Sequence, residues 1–401
     1  MARLRAFRGD LLAAGTLAAA VLLLHATVIS DKRTLLAFPD NSFQSYAWLS
    51  FAARDGAAWD PYQFGGHTFL GELQTALYYP LGELFFLVTG SITGRGITAY
   101  LIAHMLMTAV FMYAFLRVLG LVRPGAVVGA LAWAIGGYML HRLTAQANIF
   151  VSATWLPLIF LLFHLALTRA LWVALPAGAA LGVSLLGGHI QPPAFAIVGI
   201  AAYGVWFAAT EVGRRRAVAG RAALALGAVL AIGFAVAAVQ LIPSLEYQDR
   251  AVRFIGEPAP VPAGAELPYD VVGHQHVVDP GDLGGFVSPV YGEVDDGRLY
   301  IGVITLILAA VGLLRAPRRW AVFWAGLALL ALLWSMGHHA GVHRVLYEVV
   351  PELDKIREAA RGLMLTHFAL AVLAGYGAAA LSRSGEAWRP RPDAPRALRG
   401  A

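Results

Sequence analysis

The chain has 401 residues, of which 59% are hydrophobic and only 13% are charged, against roughly 25% charged residues in a typical soluble domain. This deficit of charge, together with repeated apolar runs of about 20 residues, predicts a polytopic helical membrane protein. The absence of cysteine excludes disulfides, thiolate catalysis and cysteine metal sites, and a net charge of +6 that comes mostly from arginine indicates membrane topology rather than nucleic-acid binding.

The first apolar run covers residues 11–30 and follows Arg3, Arg5 and Arg8, which predicts a retained signal anchor with a cytoplasmic N-terminus. Further apolar segments bring the predicted number of transmembrane helices to about ten. These segments cover residues 97–119, 126–140, 149–168, 171–187, 193–210, 222–242, 299–314, 320–336 and 363–382. The predicted fold class is therefore all-α: a polytopic membrane helical bundle with interfacial helices in the first external loop.

The compact basic clusters all fall on one side of the membrane when these helices are threaded from a cytoplasmic N-terminus, as the positive-inside rule requires. Two long loops, residues 31–96 and 243–298, then lie outside, and the external connections carry almost all the acidic residues. We expect one multi-pass domain at 1–382 in the cell membrane, with its functional site on the extracytoplasmic face. A cytoplasmic Arg/Pro-rich tail at 383–401 is expected to be disordered.

The first external loop contains the residue expected to carry chemistry. Asp40 follows a proline and precedes a helix-compatible run, so it can cap a helix that has Gln44 one turn further on. Two compatible roles stay open for Asp40: a general base oriented by Gln44, or a helix cap beside a solvated amide. Phe43, Ala47 and Phe51 recur every four residues and predict the apolar stripe of the same helix.

Two glycine-containing turns place histidines at the external surface. His67 follows paired glycines that allow close approach of backbone to a ligand, although a plain interfacial turn explains this string equally well. His189 and Gln191 lie between two predicted spans, where they can contact a polar ligand or simply cap a tight turn.

Four external arginines are candidates for binding a phosphorylated lipid headgroup, because guanidinium groups bind phosphate oxygens in a bidentate way. Arg250 and Arg253 follow the seventh span, whereas Arg357 and Arg361 precede the tenth and would share one face if that stretch were helical. The alternative is that they snorkel or pair with neighbouring acids such as Glu358.

No metal site is predicted from the histidine-rich external strings. The HQH string at 274–276 lacks a third ligand at fixed spacing, and HHAGVH at 338–343 fits no zinc pattern. A weakly bound divalent cation at the carboxylates stays an open alternative. No P-loop, dinucleotide fingerprint or GxSxG motif occurs, so nucleotide-driven transport and serine hydrolysis have no support.

An ordered set of motifs resembles the YfhO-type bacterial membrane proteins, which belong to the GT-C group of polyprenyl-phosphate-sugar glycosyltransferases. The motifs are Asp40-x-x-x-Gln44, FGGHTF, GGHIQ, EYQDRAVR, YIGVITLIL and the R-x-x-x-R that precedes LAGYGAAAL. The resemblance implies an enzyme with its active site at the outer membrane face, a lipid-phosphate sugar donor and Asp40 as catalytic base. It also implies that Arg357 and Arg361 face the donor phosphate.

These observations predict an inverting glycosyltransferase that moves a sugar from a polyprenyl phosphate to a hydroxyl of a cell-envelope glycan or polymer, with no nucleic-acid partner. The expected substrate-binding residues are Gln44, His67, His189, Gln191, Arg250, Arg253, Arg357 and Arg361. The main alternative is a non-enzymatic lipid-linked-sugar carrier, flippase or assembly partner, and a metal-dependent external enzyme is a third.

Overall fold

The computed structural model describes residues 2–35, 40–55, 58–63, 65–89, 92–211, 213–255, 259–290, 293–294, 297–350 and 353–382. The described chain is mostly helical, with three two-stranded antiparallel hairpins of two residues per strand. This confirms the predicted helical class. The predicted tail at 383–401 lies outside the described residues.

The α-helices follow one another in chain order and are linked by short turns. They are α1 Ala2–Leu24, α2 Ala26–Ser30, α3 Tyr46–Asp55, α4 Pro80–Thr89, α5 Gly94–Val118, α6 Arg123–Ala134, α7 Gly137–Ala145, α8 Ala147–Ala153, α9 Leu156–Thr168, α10 Ala174–Leu186, α11 Gln191–Thr210, α12 Arg215–Gln248, α13 Tyr269–Val272, α14 Val303–Arg315, α15 Arg318–Ser335, α16 Val342–Val349 and α17 Leu363–Ser382.

The remaining regular elements are short and lie mainly in the connections. A π-helix spans Asp40–Ser45, and 3-10 turns span Leu73–Thr75, Leu171–Val173, Pro280–Phe286, Gly337–His339, Leu353–Lys355 and Ala359–Gly362. The hairpins pair β1 Trp59–Asp60 with β2 His67–Thr68, β3 Val252–Arg253 with β4 Val261–Pro262, and β5 Glu293–Val294 with β6 Gly297–Arg298.

Several helices have the length and hydropathy of a membrane span, which supports a membrane protein. Within the described residues, six stretches qualify: Phe7–Leu24, Gly94–Val118, Ala147–Thr168, Gln191–Thr210, Arg215–Gln248 and Ala359–Ser382. The bent pair α6 and α7, with a 40° angle between its halves, makes a seventh if it is one span. Two shorter apolar stretches, Leu171–Leu186 and Val303–Arg315, coincide with further predicted segments. The count of ten stays a prediction.

The helix α17 forms the centre of the bundle and is buried along nearly its whole length. It packs closely on α14 because both helices present glycine at the contact: a Cβ on Gly312 would clash with the Leu373 carbonyl, and a Cβ on Gly377 with the Leu308 carbonyl. The close approach of two backbones is the reason that glycine is needed at both positions.

One predicted helix end is wrong. The seventh predicted span ends at residue 242, but α12 continues through Pro243 to Gln248. Proline cannot donate a backbone hydrogen bond, yet helices of membrane proteins tolerate it where neighbouring groups compensate. The Ser244 hydroxyl donates to the Gln240 carbonyl oxygen at 2.8 Å beside it. The external loop therefore begins one and a half turns later than predicted.

Candidate functional site

Asn41 joins the segment after α2 to the junction of α7 and α8. It is fully buried. Its Nδ2 donates to the carbonyl oxygens of Leu143 at 3.0 Å and Thr144 at 2.8 Å, and its Oδ1 accepts from the backbone N–H of Ala147 at 2.7 Å. One amide thus satisfies backbone groups at the end of α7 and at the start of α8, which helix ends otherwise leave unpaired. This contact brings Asp40 to the α7–α8 junction.

Replacing Asn41 with Leu is expected to lower the free energy of unfolding by about 2–4 kcal/mol, because it leaves buried carbonyl and N–H groups without partners. The measurement is thermal unfolding of the purified protein in detergent. Asn41→Asp is the matched control: it keeps the acceptor for Ala147 and loses only the donors, so it should fall between Leu and wild type. Unfolding of Asn41→Leu at the wild-type temperature would contradict this role.

The carboxylate of Asp40 is exposed and contacts the residue that joins α7 to α8. Gln146 Nε2 donates to Asp40 Oδ2 at 3.2 Å. On the other side of the same amide, Gln146 Oε1 accepts from Arg142 Nη1. Arg142 is fully buried, and its guanidinium lies over the ring of Tyr138 at 5.2 Å from the centroid. Asp40 is therefore linked by one amide to a buried positive charge.

Gln44 does not orient Asp40 through any contact in the described residues, so the predicted pairing of these two side chains is wrong. Gln44 Nε2 instead donates to Gln74 Oε1 at 3.1 Å. The same oxygen accepts from Asn148 Nδ2 at 3.3 Å, and Asn148 Nδ2 also lies 3.3 Å from the Gly188 carbonyl oxygen. Gln44 thus leads across the surface to the turn that contains His189.

The turn before α11 meets the segment before α17. Arg361 Nη1 donates to Gln191 Oε1 at 2.5 Å and lies 3.1 Å from His189 Nε2, while Gln191 Nε2 donates to the Arg357 carbonyl oxygen at 2.7 Å. The guanidinium of Arg361 also pairs with the carboxylate of Glu358. Three of the predicted ligand-binding residues, His189, Gln191 and Arg361, are therefore in direct contact.

Tyr138 closes this set of contacts. Its hydroxyl donates to the Arg361 carbonyl oxygen at 3.4 Å, and its ring lies under Arg142. The contacts form a closed path, called here the polar ring. Its members are Asp40, Gln44, Gln74, Asn148, Gly188, His189, Arg361, Tyr138, Arg142 and Gln146. It unites residues from widely separated parts of the sequence at the end of the bundle predicted to be extracytoplasmic.

The prediction that Arg357 and Arg361 share a helix face is wrong. Glu358 has a left-handed backbone conformation with φ 69° and ψ 63°, which interrupts any helix between the two arginines. The Arg357 guanidinium donates to the Phe254 carbonyl oxygen at 3.1 Å, away from Arg361. The ion pair of Glu358 with Arg361 confirms the alternative that neighbouring acids neutralise these arginines.

Arg253 lies near Arg357 rather than in the polar ring. It donates to the carbonyl oxygens of Lys355 at 3.0 Å and Ala265 at 2.6 Å. Burial, followed by the positive charge of Arg357, lowers the pKa of the Arg253 guanidinium, and Asp354 acts in the opposite direction. Arg253 and Arg357 are therefore two neighbouring cations next to the ring, on the side of the Arg357 backbone.

His67 and Arg250 are not members of the polar ring. His67 is buried in the β1–β2 hairpin, where its Nε2 lies 3.8 Å from Asp60 Oδ2. The paired glycines before it do have positive φ, 76° at Gly65 and 107° at Gly66, as predicted. Arg250 is exposed at the end of α12.

Glu72 connects the hairpin to the ring without belonging to it. Its carboxylate accepts from the backbone N–H of Gln74 at 3.1 Å and thereby caps the 3-10 turn that presents the Gln74 side chain. Burial raises the pKa of Glu72, while the hydrogen bond from Gln74 and the nearby His67 lower it. Through this cap, His67 and Glu72 support the position of Gln74.

The predicted apolar stripe of the Asp40 helix is only half correct. Phe51 is buried, but Phe43 is 77% exposed. The residues from Asp40 to Ser45 form a π-helix, whose i→i+5 hydrogen bonds widen each turn, so residues four apart no longer face the same side. Asn41 takes the buried position instead of Phe43.

The external histidines stack on one another. The rings of His274 and His338 lie 3.9 Å apart, those of His338 and His339 lie 3.8 Å apart, and His339 Nε2 is 2.5 Å from Asp279 Oδ1. Within the described part of the chain, no group of three or more His, Cys, Asp or Glu side chains is arranged to hold a metal ion.

Five ring members were not singled out from the sequence: Gln74, Tyr138, Arg142, Gln146 and Asn148. A signal exists for Arg142, which is the only Asp, Glu, Lys or Arg between residues 124 and 168. A lone charge between two apolar segments of a membrane protein is a candidate functional residue. The amides and Tyr138 carry no such signal, because only the fold brings them together.

Comparison with known proteins does not identify a family. No protein-family model matches this chain, and no curated protein matches it in sequence. The resemblance to the YfhO-type proteins therefore stays a prediction based on the motifs alone.

Proposed function

We propose that this protein is a membrane glycosyltransferase that moves a sugar from a polyprenyl-phosphate donor to a hydroxyl of an extracytoplasmic cell-envelope acceptor, with inversion at the anomeric carbon. The observation that carries the proposal is the polar ring. It connects the exposed carboxylate of Asp40 with His189 and Arg361, although these residues come from three distant segments.

The chemistry follows from the groups that the ring presents. The Asp40 carboxylate takes the proton of the acceptor hydroxyl while the hydroxyl oxygen forms a bond to the anomeric carbon of the donor. The bond between that carbon and the phosphate oxygen breaks, and the electron pair leaves with the polyprenyl phosphate. Cations near the phosphate stabilise the negative charge that develops there.

The arginines next to the ring suit the leaving phosphate. Arg253 and Arg357 are close enough for the charge of Arg357 to disfavour the charged form of Arg253. An anion bound between them would relieve this repulsion and would gain charge-assisted hydrogen bonds. Gln191 ties the Arg357 backbone to the ring, so a phosphate held there would lie beside it.

A second candidate function is a lipid-linked-sugar carrier or assembly partner that binds the same lipids without turnover. One observation favours it: the charge of Arg361 is already neutralised by Glu358, at 11% and 15% side-chain exposure, so this arginine has no free charge for a donor phosphate. In that case Asp40 would have a structural role only.

Incubation of the purified protein with radiolabelled polyprenyl-phosphate sugars separates the two functions. A glycosyltransferase should convert the labelled donor to polyprenyl phosphate and transfer or hydrolyse the sugar over time. A carrier should retain the labelled lipid intact on the protein. Binding without any consumption of donor, across a panel of sugars and acceptors, would contradict the proposal and support the carrier.

A further inference from the structure

The buried guanidinium of Arg142 has a defined relation to Asp40. Arg142 lies in α7 and has no exposed surface. Burying a charge costs several kcal/mol, on the order of the strength of the contacts that must compensate it, so such residues are retained where they have a role. The contacts that compensate it here include the Gln146 side-chain oxygen and the face of Tyr138.

Arg142 determines the orientation of the Gln146 amide. A guanidinium has only donors, so the amide must turn its oxygen towards Arg142. The NH2 group of the same amide then points to Asp40, which it reaches at 3.2 Å. A donor in this position requires an acceptor opposite it, and a deprotonated carboxylate is an acceptor only.

We infer that Arg142 and Gln146 are positioning residues, which keep the Asp40 carboxylate ionised and aimed by presenting it with the donor end of one oriented amide. The catalytic part of this inference rests on the proposed function. Asn41 supports the arrangement from the other side, because it ties the residue next to Asp40 to both helices that Gln146 connects. The direction of the path, from Arg142 through Gln146 to Asp40, is its essential feature.

Gln146→Glu is the informative substitution. Glutamate has nearly the same shape and still accepts from Arg142, so the fold and the buried charge are retained. It can no longer donate to Asp40 and places a second carboxylate against it, and like charges at hydrogen-bond distance disfavour ionisation of both. Gln63→Glu is the matched control: it adds the same charge in the same loop, where Gln63 Oε1 only accepts from Trp48 Nε1 at 2.8 Å.

The first readout is chemical and needs no substrate. A carbodiimide couples to protonated carboxyl groups, so Asp40 in Gln146→Glu should label about three- to tenfold faster than in wild type near neutral pH, as expected for loss of a donor and gain of a like charge. Peptide mass spectrometry reports Asp40 and, as internal reference, Asp31 in the same sample. Gln63→Glu should leave the labelling of Asp40 unchanged.

The second readout is turnover. Gln146→Glu should lower kcat at least about tenfold with an unchanged KM for the donor and an unchanged unfolding temperature, whereas a merely structural residue would shift the unfolding temperature first. Wild-type labelling of Asp40 and wild-type kcat in this variant would overturn the inference alone. Full turnover in Asp40→Asn would instead overturn the proposed function, and the labelling result would still decide whether Gln146 holds Asp40.

Discussion

Asp40→Asn is expected to lower the rate of sugar transfer by about 10²- to 10⁴-fold, the usual contribution of a positioned general base. The side chain keeps its shape, and its remaining oxygen still accepts from Gln146, so the unfolding temperature should stay at the wild-type value. The measurement is the initial rate of polyprenyl phosphate formation from labelled donor, with thermal unfolding of the same preparation.

Asp31→Asn is the matched control for this experiment. Asp31 is another exposed aspartate in the same stretch of chain after α1, where it pairs with Arg33 at 3.1 Å and contacts none of the ring members through a hydrogen bond in the described residues. It should transfer sugar at the wild-type rate. Equal turnover of wild type and Asp40→Asn would remove Asp40 from the mechanism.

Arg361→Met is expected to have the largest effect on stability. It leaves the Glu358 carboxylate, which is 15% exposed, without its cation, and it removes the donor to Gln191. Breaking a buried ion pair by removing one partner costs about 3–5 kcal/mol of unfolding free energy. The double variant Arg361→Met, Glu358→Gln should recover most of that loss, because the uncompensated charge is gone.

The chain contains a matched control for this pair. Arg344 and Glu348 pair at 2.5 Å on α16, but their side chains are 55% and 54% exposed. Exposed helical pairs contribute about 0.3–0.5 kcal/mol, so Arg344→Met should barely change unfolding. If Arg361→Met and Arg344→Met unfolded alike, the ion pair at the ring would not be a structural element of the site.

The membrane helices were predictable because their signal is local. A continuous apolar run of span length needs no partner to be recognised, and the predicted segment at 363–382 coincides with α17. The start of a helix at Asp40 was also predictable from local cues, whereas its π form was not. The exposure of Phe43 follows from that one difference in turn width.

The partners of the predicted site residues were not predictable, because they are distant in sequence. Local spacing pairs Asp40 with Gln44, but the amide that reaches Asp40 belongs to Gln146, 106 residues further on. Local spacing also places Arg357 and Arg361 on one face, but the left-handed conformation of Glu358 separates them. Sequence periodicity reports which residues are neighbours on one element and carries no information about contacts between elements.

Photo-crosslinking tests the central claim, that the polar ring is the donor site, most directly. A polyprenyl-phosphate sugar with a diazirine on the sugar would be irradiated with the purified protein, and the adducts would be mapped by mass spectrometry. We predict adducts in the segments around residues 40–44, 146–148 and 187–191, and their loss when unlabelled donor competes. Competable adducts found only outside these segments, for example at the stacked histidines 274 and 338, would contradict the claim.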